Sequence, residues 1–363
     1  MRIAAIVAAA TVGDGVFALP FVFVSAGWLV GIFYLIVLAS LVSVAHVVYL
    51  KTLEKIGEKE RLLGLAHRYF GRTGFWVGFV VIVLGLLLTL VAYLILGTQF
   101  VSLAFPSVSA AEAIFFFWLF TAIPIFLSDR RAVKLELVGI ACTSVVILFI
   151  FASAWPSVTF AGVSAFTGKN LFLPFGVVLF ALAGWTSVEP AFESRKNSGA
   201  LSDPWRAVAA GSFAAALLYL LFIVGVLGSA PSVTPDTVSG LAAWPVWKKE
   251  IIAIFGMLTV ATIYLPVSHE IKNAMEKDLG WNGTAARFAV LFLPLVFVGL
   301  GLHNFLTVAG IVGGVFIGAQ YLLIISVGRR ALALSAAKKF FLDLVAVVFV
   351  AAAVYEVWTF VVH

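Results

Sequence analysis

The sequence has little of what a soluble or disulfide-stabilised protein needs. Only 11% of its 363 residues are charged, 63% are hydrophobic, and Cys142 is the single cysteine. Soluble domains are about half apolar and about a quarter charged. One cysteine cannot form an internal disulfide, and it is too few for a zinc or iron–sulfur centre. The composition therefore predicts a polytopic membrane protein.

Several functional motifs are absent as well. The sequence has no P-loop, no Gly-x-Ser-x-Gly and no dinucleotide fingerprint. We therefore expect neither an enzyme nor primary active transport, and no cofactor or metal. The net charge of +6 could suggest a nucleic-acid partner, but its distribution follows membrane topology instead. The expected partners are a small molecule and membrane lipid, and no obligatory protein partner is evident.

About 20 apolar residues are needed to cross a bilayer, and windows of that length predict eleven helical spans. They cover approximately residues 3–26, 28–50, 75–104, 111–128, 135–155, 171–195, 207–229, 250–272, 286–302, 305–327 and 340–361. Only His303 and Asn304 separate the ninth span from the tenth. The prediction is an all-α fold in one transmembrane domain, 1–363.

Lysine and arginine are distributed unevenly between the two sides of these spans. With a cytoplasmic N-terminus, all 23 of them except Lys169, Lys248 and Lys249 lie on one side. Basic residues accumulate on the cytoplasmic side of membrane proteins. The pattern predicts a multi-pass protein of the cell membrane with its N-terminus in the cytoplasm and its C-terminus outside.

Two connections are long enough to have structure of their own. Lys51–Gly74 is interpreted as an amphipathic cytoplasmic helix along the membrane surface. Within the external loop Ala230–Trp247, the piece Val238–Trp244 is either a short helix that caps a vestibule or part of a solvated loop. His46, His269 and Glu270, near cytoplasmic span ends, are interpreted as interfacial.

The first span is interrupted by Thr11-Val-Gly-Asp-Gly-Val-Phe-Ala-Leu-Pro20. An aspartate between two glycines is costly inside a membrane, so it needs a reason. Unwound backbone is tolerated at that depth only where it is buried in protein or lines a cavity. A simple kink or close helix packing is the alternative.

The sixth span is interrupted at a matching place, Phe180-Ala-Leu-Ala-Gly-Trp-Thr-Ser-Val-Glu-Pro190. The two interruptions open two sets of five spans, 1–155 and 171–327, and 340–361 is an additional helix. Because five is odd, the second set must have the opposite membrane orientation. Paired interrupted spans in an inverted repeat indicate the substrate site of a secondary transporter.

These segments also resemble a known family. Gly13–Pro20, followed by Ser25-Ala-Gly-Trp28, resembles the first span of the amino acid/auxin permease family, and Phe180–Trp185 is similar to its sixth-span motif. Lys277–Gly280 and Ile311–Gly318 are similar too. That family belongs to the amino acid–polyamine–organocation superfamily. The resemblance implies a LeuT-like 5+5 inverted repeat with broken first and sixth helices, and amino acid transport by alternating access.

The two interruptions suit a small α-amino acid. The half-helix that starts near Val16 presents its positive N-terminal end to a carboxylate, and freed carbonyls can accept from the ammonium group. The candidate substrate-binding residues are Gly13, Asp14, Gly15, Phe180, Ala183, Gly184 and Trp185, and by resemblance Tyr93. We expect uptake of small neutral or aromatic amino acids.

Three roles are open for Asp14. It caps the second half-helix, carries a proton whose loss repels the substrate carboxylate, or serves as counter-ion for a cationic or amine substrate. Sodium is the rival coupling ion. By resemblance, Ala9 and Val12 would supply carbonyls to a sodium site, and Thr259 and Thr262 hydroxyls.

That sodium site looks incomplete, because Ile263 stands where a further hydroxyl is expected. A fifth-span lysine, found in some proton-coupled relatives, is also missing, since the region reads Cys142-Thr-Ser144. Thr259 and Thr262 could instead bond back to their own helix. Glu189 is a candidate for gating or proton relay, or for helix capping. The residues favour protons over sodium.

Three rival functions remain. An ion or solute channel would need a continuous polar path, which these apolar spans do not offer. An integral-membrane enzyme would need clustered catalytic groups at a membrane face. A divalent-metal carrier of the same fold would carry Asp-Pro-Gly in the first span and Met-Pro-His in the sixth, and both motifs are missing.

Overall fold

The computed structural model describes residues 2–57, 60–126, 129–154, 163–198 and 204–362. These ranges contain α-helices and no β-strand, as the composition predicts. The α-helices are α1 (Arg2–Thr11), α2 (Leu19–Ala26), α3 (Trp28–Ile56), α4 (Leu62–Phe79), α5 (Gly85–Ala104), α6 (Ala110–Ala122), α7 (Asp129–Ala154), α8 (Leu173–Ala181), α9 (Val188–Ser198), α10 (Pro204–Ser229), α11 (Val246–Asn273), α12 (Gly283–Gly299), α13 (Phe305–Ile311), α14 (Gly318–Ala331) and α15 (Ala336–Val362).

Seven helical stretches in the described ranges are long and apolar enough to cross a membrane, and four shorter apolar helices accompany them. Each of these stretches overlaps one of the predicted spans. Three spans include π-helical turns, at Val80–Leu84, Ala274–Asp278 and Val312–Ile317. The polytopic all-α architecture is confirmed, and the count of spans is approximate.

The boundary between the ninth and tenth predicted spans is well defined. Helix α12 ends at Gly299, and Gly301 adopts a φ of 108°, which favours glycine and turns the chain. Asn304 then caps α13, because its side chain accepts a hydrogen bond of 3.0 Å from the Thr307 amide. A short connection is therefore enough to separate two helices here.

The prediction of one amphipathic helix over Lys51–Gly74 is wrong. Helix α3 continues to Ile56 and ends at Gly57, which has a φ of 76°. A second helix, α4, begins at Leu62 and has a break at Gly71, where φ is 65°. The leucines at the start of α4 are buried in the protein, so this segment packs against other helices.

The two interrupted spans lie in the core of the molecule, and the last helix lies at its rim. From Pro174 to Ala181, every residue of α8 is buried. In contrast, α15 exposes large apolar side chains, including Phe340, Val347 and Trp358. Such an apolar outer face is what a membrane protein presents to lipid, where exposure of hydrocarbon has no cost.

The Ala230–Trp247 connection folds back over the first interruption. Ser239–Leu241 forms one 3₁₀ turn, and Val238 and Leu241 are fully buried. The Thr237 hydroxyl donates a hydrogen bond of 2.5 Å to the Phe17 carbonyl. This agrees with the short-helix interpretation of the loop, and it places the loop as a cover over the unwound part of the first span.

Candidate functional site

The first interruption occurs where the sequence predicts it. Helix α1 ends at Thr11, the next two residues are not helical, and a 3₁₀ turn runs over Asp14–Ala18 before α2 begins. Gly13 has an extended backbone with φ −132° and ψ −170°. Pro20 stands in the first turn of α2, where its missing N–H is not needed. The Asp14–Ala18 turn is entirely buried, so the unwound backbone is surrounded by protein.

The second interruption mirrors the first. Helix α8 ends at Ala181, Leu182–Gly184 is not α-helical, and a 3₁₀ turn over Trp185–Ser187 leads into α9. The Ser187 hydroxyl donates a hydrogen bond of 2.6 Å to the Gly184 carbonyl. One of the carbonyls freed by the break is therefore satisfied locally.

The two interruptions meet face to face. A Cβ atom on Gly15 would lie 2.5 Å from Ala181 Cα, and a Cβ atom on Gly184 would lie 2.5 Å from Thr11 Oγ1. Both distances are far below van der Waals contact, so glycine is required at both positions. Each broken helix thus uses one glycine to approach the end of the other.

Tyr219 of α10 joins the two broken helices, although no pattern in the sequence marks it as a site residue. Its hydroxyl oxygen lies 2.5 Å from the Thr11 carbonyl and 2.6 Å from the Ala181 carbonyl. Thr11 is the last residue of α1, and Ala181 is the last residue of α8. A phenol has one proton to donate, so it can satisfy only one of these carbonyls at a time. The other is available to a second donor.

Asp14 is fully buried at this crossing. Neither of its carboxylate oxygens has a hydrogen-bond partner among the described residues, and its side chain caps no helix. The capping role is therefore not observed. Tyr93 and Tyr219 are near enough for their charge states to interact with that of Asp14. An unpaired carboxyl in such a place is costly when it is ionised.

Aromatic rings line one side of the crossing. Tyr93 and Phe180 have ring centroids 6.4 Å apart, and Phe305 of α13 packs edge-on against Phe180 at 6.5 Å. Ala183 is partly buried beside them. Of the predicted substrate residues, Gly13, Asp14, Gly15, Tyr93, Phe180, Ala183 and Gly184 all lie at or beside the two interruptions.

Trp185 is oriented differently. Its indole N–H donates a hydrogen bond of 2.6 Å to Gln320 Oε1, and Gln320 in turn donates 3.2 Å to the Val81 carbonyl. The ring is buried and is held toward α14. The hydrogen bond therefore fixes the break of the sixth span to the tenth, and a contact of Trp185 with substrate stays a prediction.

A chain of polar groups continues from the second interruption along α3. His46 is fully buried, and its Nε2 atom lies 3.1 Å from the Tyr321 hydroxyl oxygen. The same oxygen accepts a hydrogen bond of 3.4 Å from the Gly184 amide. The interfacial interpretation of His46 is therefore wrong. One helical turn further, Tyr49 donates a hydrogen bond of 2.8 Å to Glu189 Oε1.

A salt-bridge cluster lies near the ends of α4 and α11, around Arg61. Arg61 pairs with Glu270 through one guanidinium nitrogen and with Asp278 at 3.2 Å through another. Arg61 is 23% exposed and Glu270 30%, so both side chains reach the surface of the protein. The interfacial interpretation of Glu270 stays a prediction.

The candidate sodium ligands are only partly arranged as a cation site. Ala9 lies in the last turn of α1, and Val12 directly follows the end of this helix. Thr262 Oγ1 lies 2.8 Å from the Leu258 carbonyl and 2.9 Å from the Thr259 carbonyl of its own helix, and its single proton can be donated to either. The Thr259 hydroxyl is buried and has no partner in the described part of the chain.

Solved structures show the same fold. A manganese transporter from Eremococcus coleocola is 12% identical, with a TM-score of 0.64, and the match covers 98% of this chain and 85% of that one. Mhp1, a nucleobase-cation-symport-1 family transporter, is 14% identical with a TM-score of 0.59, covering 98% and 90%. At these identities the likeness concerns the fold alone, which is that of LeuT-fold transporters.

The model of the family described as transmembrane amino acid transporter protein matches residues 1–230. The chain belongs to this family. A search of curated proteins found no match. The recognised resemblance to amino acid permeases is therefore confirmed, and the matched region includes both interruptions and Tyr219.

Proposed function

We propose that this protein is a secondary active transporter that takes up small neutral or aromatic amino acids across the cell membrane, coupled to protons through Asp14. Family and fold support a transporter of small molecules in a membrane. The substrate class rests on the chemistry of the crossing between the two interruptions. The coupling ion rests on the surroundings of Asp14.

The crossing offers one partner for each part of an amino acid. The first amides of the Asp14–Ala18 turn have no acceptor within their own helix, which suits a carboxylate. The Thr11 and Ala181 carbonyls share the single proton of Tyr219, which leaves an acceptor for an ammonium group. Tyr93 and Phe180 supply aromatic surface for an apolar side chain.

The observation that carries the proton hypothesis is the buried, unpartnered carboxyl group of Asp14. When it is ionised, it repels a substrate carboxylate and competes for the same amides. Protonation removes both effects, so proton and substrate favour each other's binding. Release of the proton on the cytoplasmic side then promotes release of the substrate.

The test is uptake into proteoliposomes driven by a pH gradient. The substrate is first found by a thermal-shift screen of the twenty amino acids at two pH values, because selective binding raises apparent stability. Asp14→Asn is expected to keep substrate exchange at equal pH and to lose accumulation against a gradient. Asp236→Asn, which changes a carboxyl that binds Ser239 in the external loop, is the control and should accumulate normally.

Full gradient-driven accumulation by Asp14→Asn would refute proton coupling at this residue. Accumulation driven by a sodium gradient alone would support the sodium-coupled alternative, which the unpartnered hydroxyl of Thr259 favours. In that case Thr259→Val should abolish the sodium effect. Stabilisation by amines without a carboxylate, lost in Asp14→Asn, would instead support a cationic substrate.

A further inference from the structure

A second acidic residue lies between helices of the transport core. Glu356, near the end of α15, points its side chain at three glycines of two neighbouring segments. A Cβ atom on Gly176 would lie 2.3 Å from Glu356 Oε1, and one on Gly314 would lie 2.2 Å from Glu356 Cγ. Gly310 borders the other carboxylate oxygen, with its Cβ position 3.3 Å from Oε2. The slot that holds this side chain therefore exists because these positions lack side chains.

The slot lies at a close crossing of two helices. A Cβ atom on Gly313 would lie 1.8 Å from the Gly176 carbonyl oxygen and 2.7 Å from the Phe180 nitrogen. The π-helical turn Val312–Ile317 is therefore in backbone contact with α8. Helix α8 is the half-helix that ends at the second interruption, and Phe180 is one of its candidate substrate residues. The Glu356 side chain packs against both this half-helix and the tenth span.

The charge environment of Glu356 contains few titratable groups. Helix α8 and the whole stretch Phe305–Ile317 contain no acidic, basic, histidine, cysteine or tyrosine residue. On α15 the neighbouring group is Tyr355, which interacts electrostatically with Glu356 and with Tyr34 of α3. On α14, Tyr321 binds His46, Arg329 pairs with Asp343, and Arg330 binds the Tyr69 carbonyl.

Among the described residues, no cation pairs with the Glu356 carboxyl group. The group that the slot offers is the Gly176 backbone amide, which is within hydrogen-bonding reach. This amide can donate one hydrogen bond to the carboxylate, which offsets part of the cost of its charge but supplies no net positive charge. A charge buried in a membrane protein without a counter-ion is costly, and such residues mark functional sites. In this packed arrangement the ionised carboxyl is therefore less stable than the protonated one.

We propose that Glu356 is a second proton-binding site, separate from Asp14, whose protonation holds α8 packed against the Phe305–Ile317 segment. Loss of the proton favours separation of the two segments, because separation allows water to hydrate the charged carboxylate. The charge distribution of the chain predicts that this end of α15 faces outward. The site would thus link external pH to opening of the outer half of the sixth span. It uses only the alternating-access part of the proposed function.

The test measures separation of the segments without needing a substrate. In a Cys142→Ala background, a cysteine is placed by Phe305→Cys, a buried position that packs against Phe180. The rate of its modification by a membrane-impermeant maleimide is measured from low to high pH, with and without Glu356→Gln. The glutamine oxygen can still accept from the Gly176 amide, so the variant changes titration and keeps the contact.

Because thiol reactivity itself rises with pH, the rate of the parent is divided by the rate of Glu356→Gln at each pH. We expect this ratio of rates to be near one at low pH and to increase at least about ten-fold at high pH. The reason is that the ratio of ionised to protonated carboxyl increases about ten-fold for each pH unit. A ratio that stays constant over the whole range overturns it.

Infrared spectroscopy decides the matter even if Glu356→Gln fails to fold. In protein reconstituted in lipid, the carbonyl stretch of a buried protonated carboxyl should disappear as pH rises. This band should persist in Asp14→Asn. When Glu356→Asp is added to Asp14→Asn, the band should disappear at a different pH. Absence of any such band in Asp14→Asn overturns the proposal. Because Asp14 is absent there, the result is independent of the coupling assigned to Asp14.

Discussion

The two glycines that flank Asp14 should respond very differently to the same substitution. In the sequence Gly13 and Gly15 look equivalent, as a symmetric pair around an acid. In the structure a Cβ atom on Gly15 would lie 2.5 Å from Ala181 Cα and 2.9 Å from Ala181 Cβ. A Cβ atom on Gly13 would meet only ordinary contacts, 3.8 Å from the Thr11 oxygen and 4.0 Å from Ile263 Cδ1. We therefore predict that Gly15→Ala is damaging and Gly13→Ala is tolerated.

The magnitude follows from the distances. Carbon atoms pack at about 3.5–4.0 Å, so Gly15→Ala must separate the two broken helices by roughly 1 Å. Overpacking of this kind costs about 1–3 kcal/mol, and the shift also disturbs the hydrogen bond between Tyr219 and the Ala181 carbonyl. Gly13 has an extended backbone that alanine can adopt. There, alanine restricts the unfolded chain and should stabilise the protein by about 0.4–1 kcal/mol.

The assay is thermal unfolding of the purified protein followed by tryptophan fluorescence, combined with uptake into proteoliposomes. Gly15→Ala should unfold at a lower temperature and transport more slowly, because the two interruptions can no longer close on each other. Gly13→Ala should unfold at or above the parent temperature. Equal destabilisation by the two substitutions, or a larger loss for Gly13→Ala, would show that the crossing is not as close as the structure has it.

Two further predictions concern hydroxyl groups that hold unwound backbone. Tyr219→Phe removes the proton shared by the Thr11 and Ala181 carbonyls and should cost about 1–3 kcal/mol, seen as a lower unfolding temperature; an unchanged temperature contradicts the bridging role. Thr237→Val keeps the shape of the side chain but removes the donor to the Phe17 carbonyl, so amide hydrogen exchange in residues 235–244 should accelerate. Unchanged exchange in that loop would show that the hydrogen bond does not hold it closed.

Much of the architecture could be predicted because membrane insertion depends on local composition. The spans follow from apolar length, and the side of each connection follows from lysine and arginine. Both interruptions could be found because an aspartate with glycines, or a glycine before a Glu-Pro pair, is exceptional in an apolar helix. The prediction was wrong at Lys51–Gly74, because Gly57 and Gly71 break the helix there and burial of Leu62 depends on distant helices.

The site itself could be predicted only in part. The candidate residues near each interruption come from two segments that are themselves unusual in sequence. Tyr219 and His46 lie in spans that carry no such signal, and a single tyrosine or histidine in a helix does not show what it faces. Their roles depend on contacts between residues more than a hundred positions apart in the chain. Tyr219 contacts Thr11, and His46 contacts Tyr321.

An all-helical membrane protein with two interrupted spans could be predicted from the sequence, because those properties depend on residues adjacent in the chain. The contact of Gly15 with Ala181, the sharing of the Tyr219 phenol by both broken helices and the position of Glu356 between glycines depend on tertiary packing. The physical reason is that close packing and hydrogen bonding act between surfaces that the chain brings together from distant positions. Thr11–Pro20 could be recognised in the sequence, and its partners could not.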